Sequence, residues 1–468
     1  AIEAYSMAAG MTVTVGTGAG SLAQVITETG TEAVSTVTLG NGIYTGDWVG
    51  FDAADIVKIN ASGSDISGNT GLNGGVKLDF QAATANTTLN ATQNGVVTFI
   101  NAGANVQTVN LSAVDTFTTT NTIEAYSGIG GGVVTLAASH TAANIAMTTA
   151  GATTLNVGAQ TVTGTYALAD EADVLKVTAT ADISGINAGG VTTAENLDLT
   201  TVALINATMT EAQYDGFTGI TANAGNDTIT IEAGAIATIA TDIDIGTYVI
   251  QDDTNNAYTV SIAATDDVNL TSTTANDVIT LSLAGGVTYT GTLAIADNAG
   301  HKTVLGVGTT VISGADLDDM AILDMSTSGA VLTTMTEAQN EVFAALGAAA
   351  ILGDGTDDRI TIADGTLASI TTDASIDNYT IGDDTNNNAY TVTIGATDNV
   401  NITSATATDV VSVAVTGTQT GALSLVDTAG HTLIGLGTSD VTGLTLSNID
   451  TLNLATAGAN LITMTEAQ

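Results

Sequence analysis

Along most of the chain apolar and polar residues alternate one by one. Asp227-Thr-Ile-Thr-Ile231, Asp277-Val-Ile-Thr-Leu281, Asp358-Arg-Ile-Thr-Ile362 and Asp409-Val-Val-Ser-Val413 repeat one phrase, an Asp followed by β-branched residues with a period of two. Successive side chains of a strand point to opposite faces, so the alternation predicts strands with one packed face and one solvated face. The phrases follow one another at roughly ten-residue spacing with Gly, Asn and Asp between them, and no helical crossover of roughly 10 to 15 residues intervenes. The pattern predicts an all-β fold: a β-solenoid or parallel β-helix-like repeat array, with tandem β-sandwich domains as the alternative.

One segment breaks the period. Met209-Thr-Glu-Ala-Gln213 recurs as Met335-Thr-Glu-Ala-Gln339 and Met464-Thr-Glu-Ala-Gln468, at intervals of 126 and 129 residues. Its Thr-x-x-Gln is a capping box, and Asn340-Glu-Val-Phe-Ala-Ala-Leu346 places apolar residues at helical spacing, so a short helix is expected to punctuate each unit. The two units between the markers align further. Asp252-Asp-Thr-Asn-Asn-Ala-Tyr-Thr-Val260 answers Asp383-Asp-Thr-Asn-Asn-Asn-Ala-Tyr-Thr-Val392, and Ala264-Thr-Asp-Asp-Val-Asn-Leu270 answers Ala396-Thr-Asp-Asn-Val-Asn-Ile402. Upstream, Ile2-Glu-Ala-Tyr-Ser6 returns as Ile123-Glu-Ala-Tyr-Ser127. These repeats divide the chain into divergent β units 1–122 and 123–208, repeat units 209–334 and 335–463, and the start of a further unit at 464–468.

Composition narrows the setting. Among 468 residues there is no proline, where average usage of roughly 5% would give about 23. Every backbone N–H is therefore free to serve in a ladder. There is no cysteine, and 48 Asp and Glu against 5 Lys and Arg give a net charge of −43. Nucleic acid is excluded as a natural partner, because phosphate binding needs a basic patch. A mean hydropathy of +0.34 with ample Val, Ile and Leu argues against disorder. No apolar run approaches the ~18 to 20 residues of a membrane helix, so no membrane span is expected.

Catalytic chemistry is thinly supplied. His301 and His431 occupy equivalent Asp-x-Ala-Gly-His segments, His140 stands alone, and no His or Cys pair falls at zinc-ligand spacing. With 4% aromatic residues and one Trp, a polysaccharide-processing groove is a distant alternative, and the chain is expected not to be an enzyme. Carboxylates are the class in excess, and they gather in Asp/Asn/Gly/Thr segments. Calcium takes roughly six to eight oxygen ligands from such groups. Asp227, Asp252, Asp253, Asp357, Asp358, Asp383 and Asp384 are the candidate metal ligands, with calcium as the candidate cofactor.

Gly225-Asn-Asp-Thr-Ile229 and Gly353-Asp-Gly-Thr-Asp-Asp-Arg-Ile360 resemble fragments of the Gly- and Asp-rich nonapeptide of repeats-in-toxin proteins. The Ala/Thr/Gly/Val/Asn/Asp composition, free of cysteine and almost free of lysine, is similar over nearly the whole chain to bacterial surface-layer proteins and giant repeat adhesins exported by type I secretion. The resemblance implies a structural protein of the bacterial cell surface that assembles with copies of itself into a calcium-stabilised layer, sheath or filament. It also implies cell-surface polysaccharide as a further partner. The alternative it carries is the repeat stalk of a large secreted adhesin.

Overall fold

The structure is a computed structural model. It describes residues 4–468 except 16–20, 23–24, 30–32, 60–62, 73–75, 81–85, 101–107, 112–116, 120–122, 124, 129–131, 139–143, 148–151, 168–172, 187–194, 202–203, 224–226, 233, 235, 243, 252–256, 264–265, 271–277, 284–285, 287, 296–301, 308, 316–319, 327–329, 347–349, 355–356, 383–388, 403–409, 426–431, 448–450 and 454–460. The chain forms two compact units, Ala1–Glu232 and Ala233–Gln468.

In the first unit the opening coils carry three strands each. Ala4–Ala8, Thr12–Val15 and Ser21–Leu22 pair in parallel with Val25–Thr29, Thr36–Leu39 and Gly42–Tyr44. These in turn pair with Trp48–Val49, Ile56–Ile59 and Ser64–Asp65. From there the coil narrows to two strands. Ile56 lies in register with Lys77, and Lys77 with Thr98, so one coil consumes 21 residues. Strand Ala125–Gly128, just after the repeat boundary expected at 123, pairs with Thr108–Leu111 before it and Asn144–Met147 after it. The alternation seen in the sequence becomes columns: Val37, Val57 and Leu78 stack in register, and none exposes any surface.

The second unit repeats this architecture. Ile360, Tyr379, Val400 and Leu423 form one buried column, with Ile362, Ile381 and Ile402 beside it. On the opposite sheet Tyr390 and Val392 stack on Val411 and Val413. Every strand pair among the described residues is parallel, the arrangement of a β-solenoid and not of antiparallel sandwiches. Parallel sheets buried on their inner face need apolar residues at every second position of every coil, which is the pattern the chain supplies.

The described residues hold three helices, α1 Ala91–Val96, α2 Glu211–Tyr214 and α3 Glu337–Leu346, two of them at the expected markers. Within their units, α1 and α3 lie where one sheet hands over to another. In the first unit α1 is followed by Thr98–Ile100, the last strand of its sheet, and the Asn94 amide donates to the Thr118 carbonyl on Phe117–Thr118, the first strand of the next. In the second unit α3 lies against Ser369–Thr371, which opens a new sheet. The Glu337 carboxylate accepts the Ala368 and Ser369 N–H groups, Glu341 accepts that of Thr371, and Asn340 donates to the Thr371 carbonyl. A strand that begins a sheet has unpaired backbone groups along one edge. The helix side chains satisfy them.

Candidate functional site

The polar groups that the sequence marks out are turned inward. The marker glutamines show this most clearly. Gln339 closes the capping box with Thr336, and its side-chain amide also donates to the carbonyls of Ile312 and Ala315 at 2.8 and 2.7 Å, one coil earlier. Gln213 does the same to Ile183 and Ile186, and Gln468 to Val441 and Leu444. A fourth copy, Asn90-Ala-Thr-Gln93, bonds to Ile66 and Asn69. The four acceptor segments share a sequence: Ile66-Ser-Gly-Asn69, Ile183-Ser-Gly-Ile186, Ile312-Ser-Gly-Ala315 and Val441-Thr-Gly-Leu444. Each folds into a tight turn in which the fourth N–H bonds the first carbonyl. Gln and turn together form a staple between neighbouring coils.

The Asp that opens a strand phrase makes a second kind of link. Asp358 is fully buried; its Oδ1 accepts the Val331 N–H at 3.0 Å and its Oδ2 the Asp354 N–H at 2.8 Å. Its own carbonyl accepts from Asn378 on the following coil, so one residue ties three successive coils. Asp227, also fully buried, accepts the N–H groups of Ile205 and Asn223, and Asp55 those of Ser35 and Asp52. Of the candidate calcium ligands, Asp227 and Asp358 are thus placed as backbone acceptors with both oxygens engaged. Asp357 is exposed, holds a left-handed backbone (φ 62°) and donates its N–H to the Asp377 carboxylate. Asp252, Asp253, Asp383 and Asp384 lie outside the described residues, as do His140, His301 and His431. Among the described residues no group of three or more His, Asp or Glu is arranged to hold a metal ion.

A third buried acid recurs in both repeat units. Asp266 and Asp398 occupy the aligned Ala-Thr-Asp segments, and each is almost wholly enclosed. Burial pushes both carboxyls up from the ordinary range. The nearby Thr241 hydroxyl at Asp266, and the hydrogen bonds from Thr372 and the Gly395 N–H to Asp398, oppose the shift. The neighbouring negative charges of Asp242 and Asp267, and of Asp373 and Asp377, add to it. A folded-state pKa above the unfolded value means that the folded form holds its proton more tightly. The stability is then fully present below the unfolded value, about 3.9 for Asp, and falls as pH rises through the window up to the raised value.

Asp398→Asn is accordingly expected to raise the melting temperature at neutral pH and to flatten its fall above about pH 4. The net charge of −43 gives a slope of the same sign, so the difference between parent and variant isolates Asp398. Thermal melts across a pH series at fixed ionic strength measure it. Parallel curves for the two proteins would contradict the assignment.

Lys176 and Asp198 form the one ion pair among the described residues, at 2.6 Å. Burial, the largest single influence, works against the Asp198 charge, but the Lys176 hydrogen bond and charge together with the bonds from the Thr200 hydroxyl and N–H outweigh it and hold the carboxyl below its usual range. Fold and polar network together define a parallel β-solenoid whose strongest chemistry serves its own backbone. Comparison of the chain with protein-family profiles, with curated proteins and with solved structures gives no match.

Proposed function

We propose that the chain is a non-catalytic structural segment of a bacterial cell-surface protein, a repeat stalk that sets a distance. The observation that carries this reading is the direction of the polar chemistry. Gln93, Gln213, Gln339 and Gln468, and the acids Asp55, Asp227 and Asp358, spend their hydrogen bonds joining one coil to the next. A stack linked in this way is extended by adding coils, each contributing about 4.8 Å, and its stability grows with nearest-neighbour interfaces.

Cations belong to the same proposal. With 48 acids and 5 bases the chain repels itself, and near-millimolar extracellular calcium is available to relieve that repulsion through sites of ~10⁻⁴ to 10⁻³ M affinity. The test has two arms on the purified full chain. Electron microscopy with and without calcium separates a stalk, which stays a discrete particle, from a self-assembling layer, which forms ordered sheets or fibres. Melting in chelator at fixed high ionic strength, with and without added calcium, separates bound calcium from charge screening; equal midpoints remove calcium from the account. Ordered arrays on calcium addition would replace the stalk by the layer.

A further inference from the structure

The outward face of the second unit carries a depression of about 270 Å³ on the sheet formed by Arg359–Ile362, Asn378–Ile381, Asn399–Ile402 and Ala422–Leu425. Two columns of polar side chains floor it. Arg359, Asn378 and Asn399 stack in register on three successive coils, and Thr380, Asn401 and Ser424 stack beside them. Arg359 is the only arginine in the chain. It is exposed, and no carboxylate lies within ion-pair distance of it among the described residues, although acids outnumber bases 48 to 5.

The other repeat unit provides an internal comparison. Its aligned phrases, Asp227-Thr-Ile, Thr247-Tyr-Val and Asp267-Val-Asn, place Thr228, Thr247 and Asp267 where Arg359, Asn378 and Asn399 stand. The second copy therefore differs by one added positive charge and one removed negative charge at the three aligned positions, and by amide donors in place of a hydroxyl and a carboxylate. The inward residues of those phrases stay apolar or aromatic in both copies, Ile229 against Ile360 and Tyr248 against Tyr379. Packing does not require the outward exchange.

We propose that this depression binds an acidic saccharide chain, with Arg359 taking a sugar carboxylate and the Asn378 and Asn401 amides, with the Thr380 hydroxyl, bonding ring hydroxyls. A guanidinium presents paired N–H donors that match a carboxylate, and amides serve as both donors and acceptors to vicinal hydroxyls. Neighbouring coils lie about 4.8 Å apart, close to the length of one sugar ring in an extended chain, so successive rings meet successive coils. The cell-surface reading supplies only the source of the saccharide; binding itself is independent of whether the chain is a stalk or a layer.

The experiment is calorimetric titration of the full chain, in chelator at moderate salt, with hexameric oligogalacturonate and with neutral maltohexaose. The acidic oligomer is expected to bind and the neutral one to bind at least about tenfold more weakly. Arg359→Gln should remove that preference, and Asn399→Asp, which restores the charge of the first copy, should weaken acidic binding by a similar factor. Arg359 and Asn399 are exposed, so both variants should melt with the parent protein. No binding, equal binding of the two oligomers, or an Arg359→Gln variant that binds as the parent does would overturn the proposal. None of these outcomes bears on the imaging result that tests the stalk.

Discussion

Gln339→Ala is expected to lower the unfolding free energy by about 2 to 4 kcal/mol. The amide of Gln339 is buried and donates to two carbonyls, that of Ile312, which keeps its bond from the Ala315 N–H when the amide is gone, and that of Ala315, which loses this donor. An orphaned buried polar group costs about 1 to 3 kcal/mol, and the capping box with Thr336 is lost as well. Gln339→Glu is the sharper variant, because it keeps the shape and the bond to the Thr336 N–H but sets a carboxylate oxygen against two carbonyl oxygens. It should be at least as destabilising as the alanine. Urea unfolding gives both values, with Thr336→Ala expected at about 1 kcal/mol as the cap alone. A Gln339→Glu variant of parental stability would show that the staple contributes nothing.

Gly421→Ala is expected to cost about 3 kcal/mol or more. A Cβ at this position would overlap the backbone carbonyl of Asp398 on the coil before it, and Gly291 meets the carbonyl of Asp266 in the same way. Gly71 repeats the contact against Trp48. The obstacle is main chain, at Asp398 and Asp266 immediately before the paired strands Asn399–Ile402 and Asp267–Leu270, so relief requires the coils to part. Gly158 is the control: an added methyl finds nothing within 4 Å, and Gly158→Ala should stay within about 0.5 kcal/mol of the parent. Equal midpoints for the Gly421 and Gly158 variants in the same denaturant series would mean that the coils are not packed as closely as the structure places them.

The strand content was legible because alternation such as Asp358-Arg-Ile-Thr-Ile362 encodes one buried face directly. Helices at Thr210 and Thr336 were legible because a capping box is a local device, complete within four residues. The 21-residue coil was hidden. Successive coils share apolar character without sharing residues, as Val37, Val57 and Leu78 do, so only the longer duplication stands out. That duplication fits six coils averaging 21 residues over the 126 from Met209 to Met335, with single steps that vary, as from Thr247 to Asp267, from Thr238 to Thr259 and from Val268 to Leu293.

The site was harder to see. An Asp at the head of a strand looks the same whether it faces solvent or its neighbour's backbone, and Asp227 and Asp358 are candidates for calcium in the sequence because they stand in Asp/Asn/Gly/Thr segments. Their acceptor role depends on Ile205 and Val331, more than twenty residues upstream. Asn90-Ala-Thr-Gln93 does not stand out in the sequence, because it keeps only the polar corners of the capping box. Its partner turn Ile66-Ser-Gly-Asn69 was legible as a repeat only once the hydrogen bonds joined the two.

Coils stacked in register bring residues far apart in sequence to a fixed, short distance. Leu332, Arg359, Asn378, Asn399, Ala422 and Thr445 form one outward column on the second unit. The ends of this column, Leu332 and Thr445, are separated by 113 residues in sequence and by five ladder steps in space. The chain has no native cysteine, so Leu332→Cys and Thr445→Cys place two nitroxide labels without background. At about 4.8 Å for each step the account predicts a narrow distribution centred near 24 Å by pulsed electron resonance. A broad distribution, or one centred beyond roughly 35 Å, well outside five ladder steps, would contradict the stacked coil.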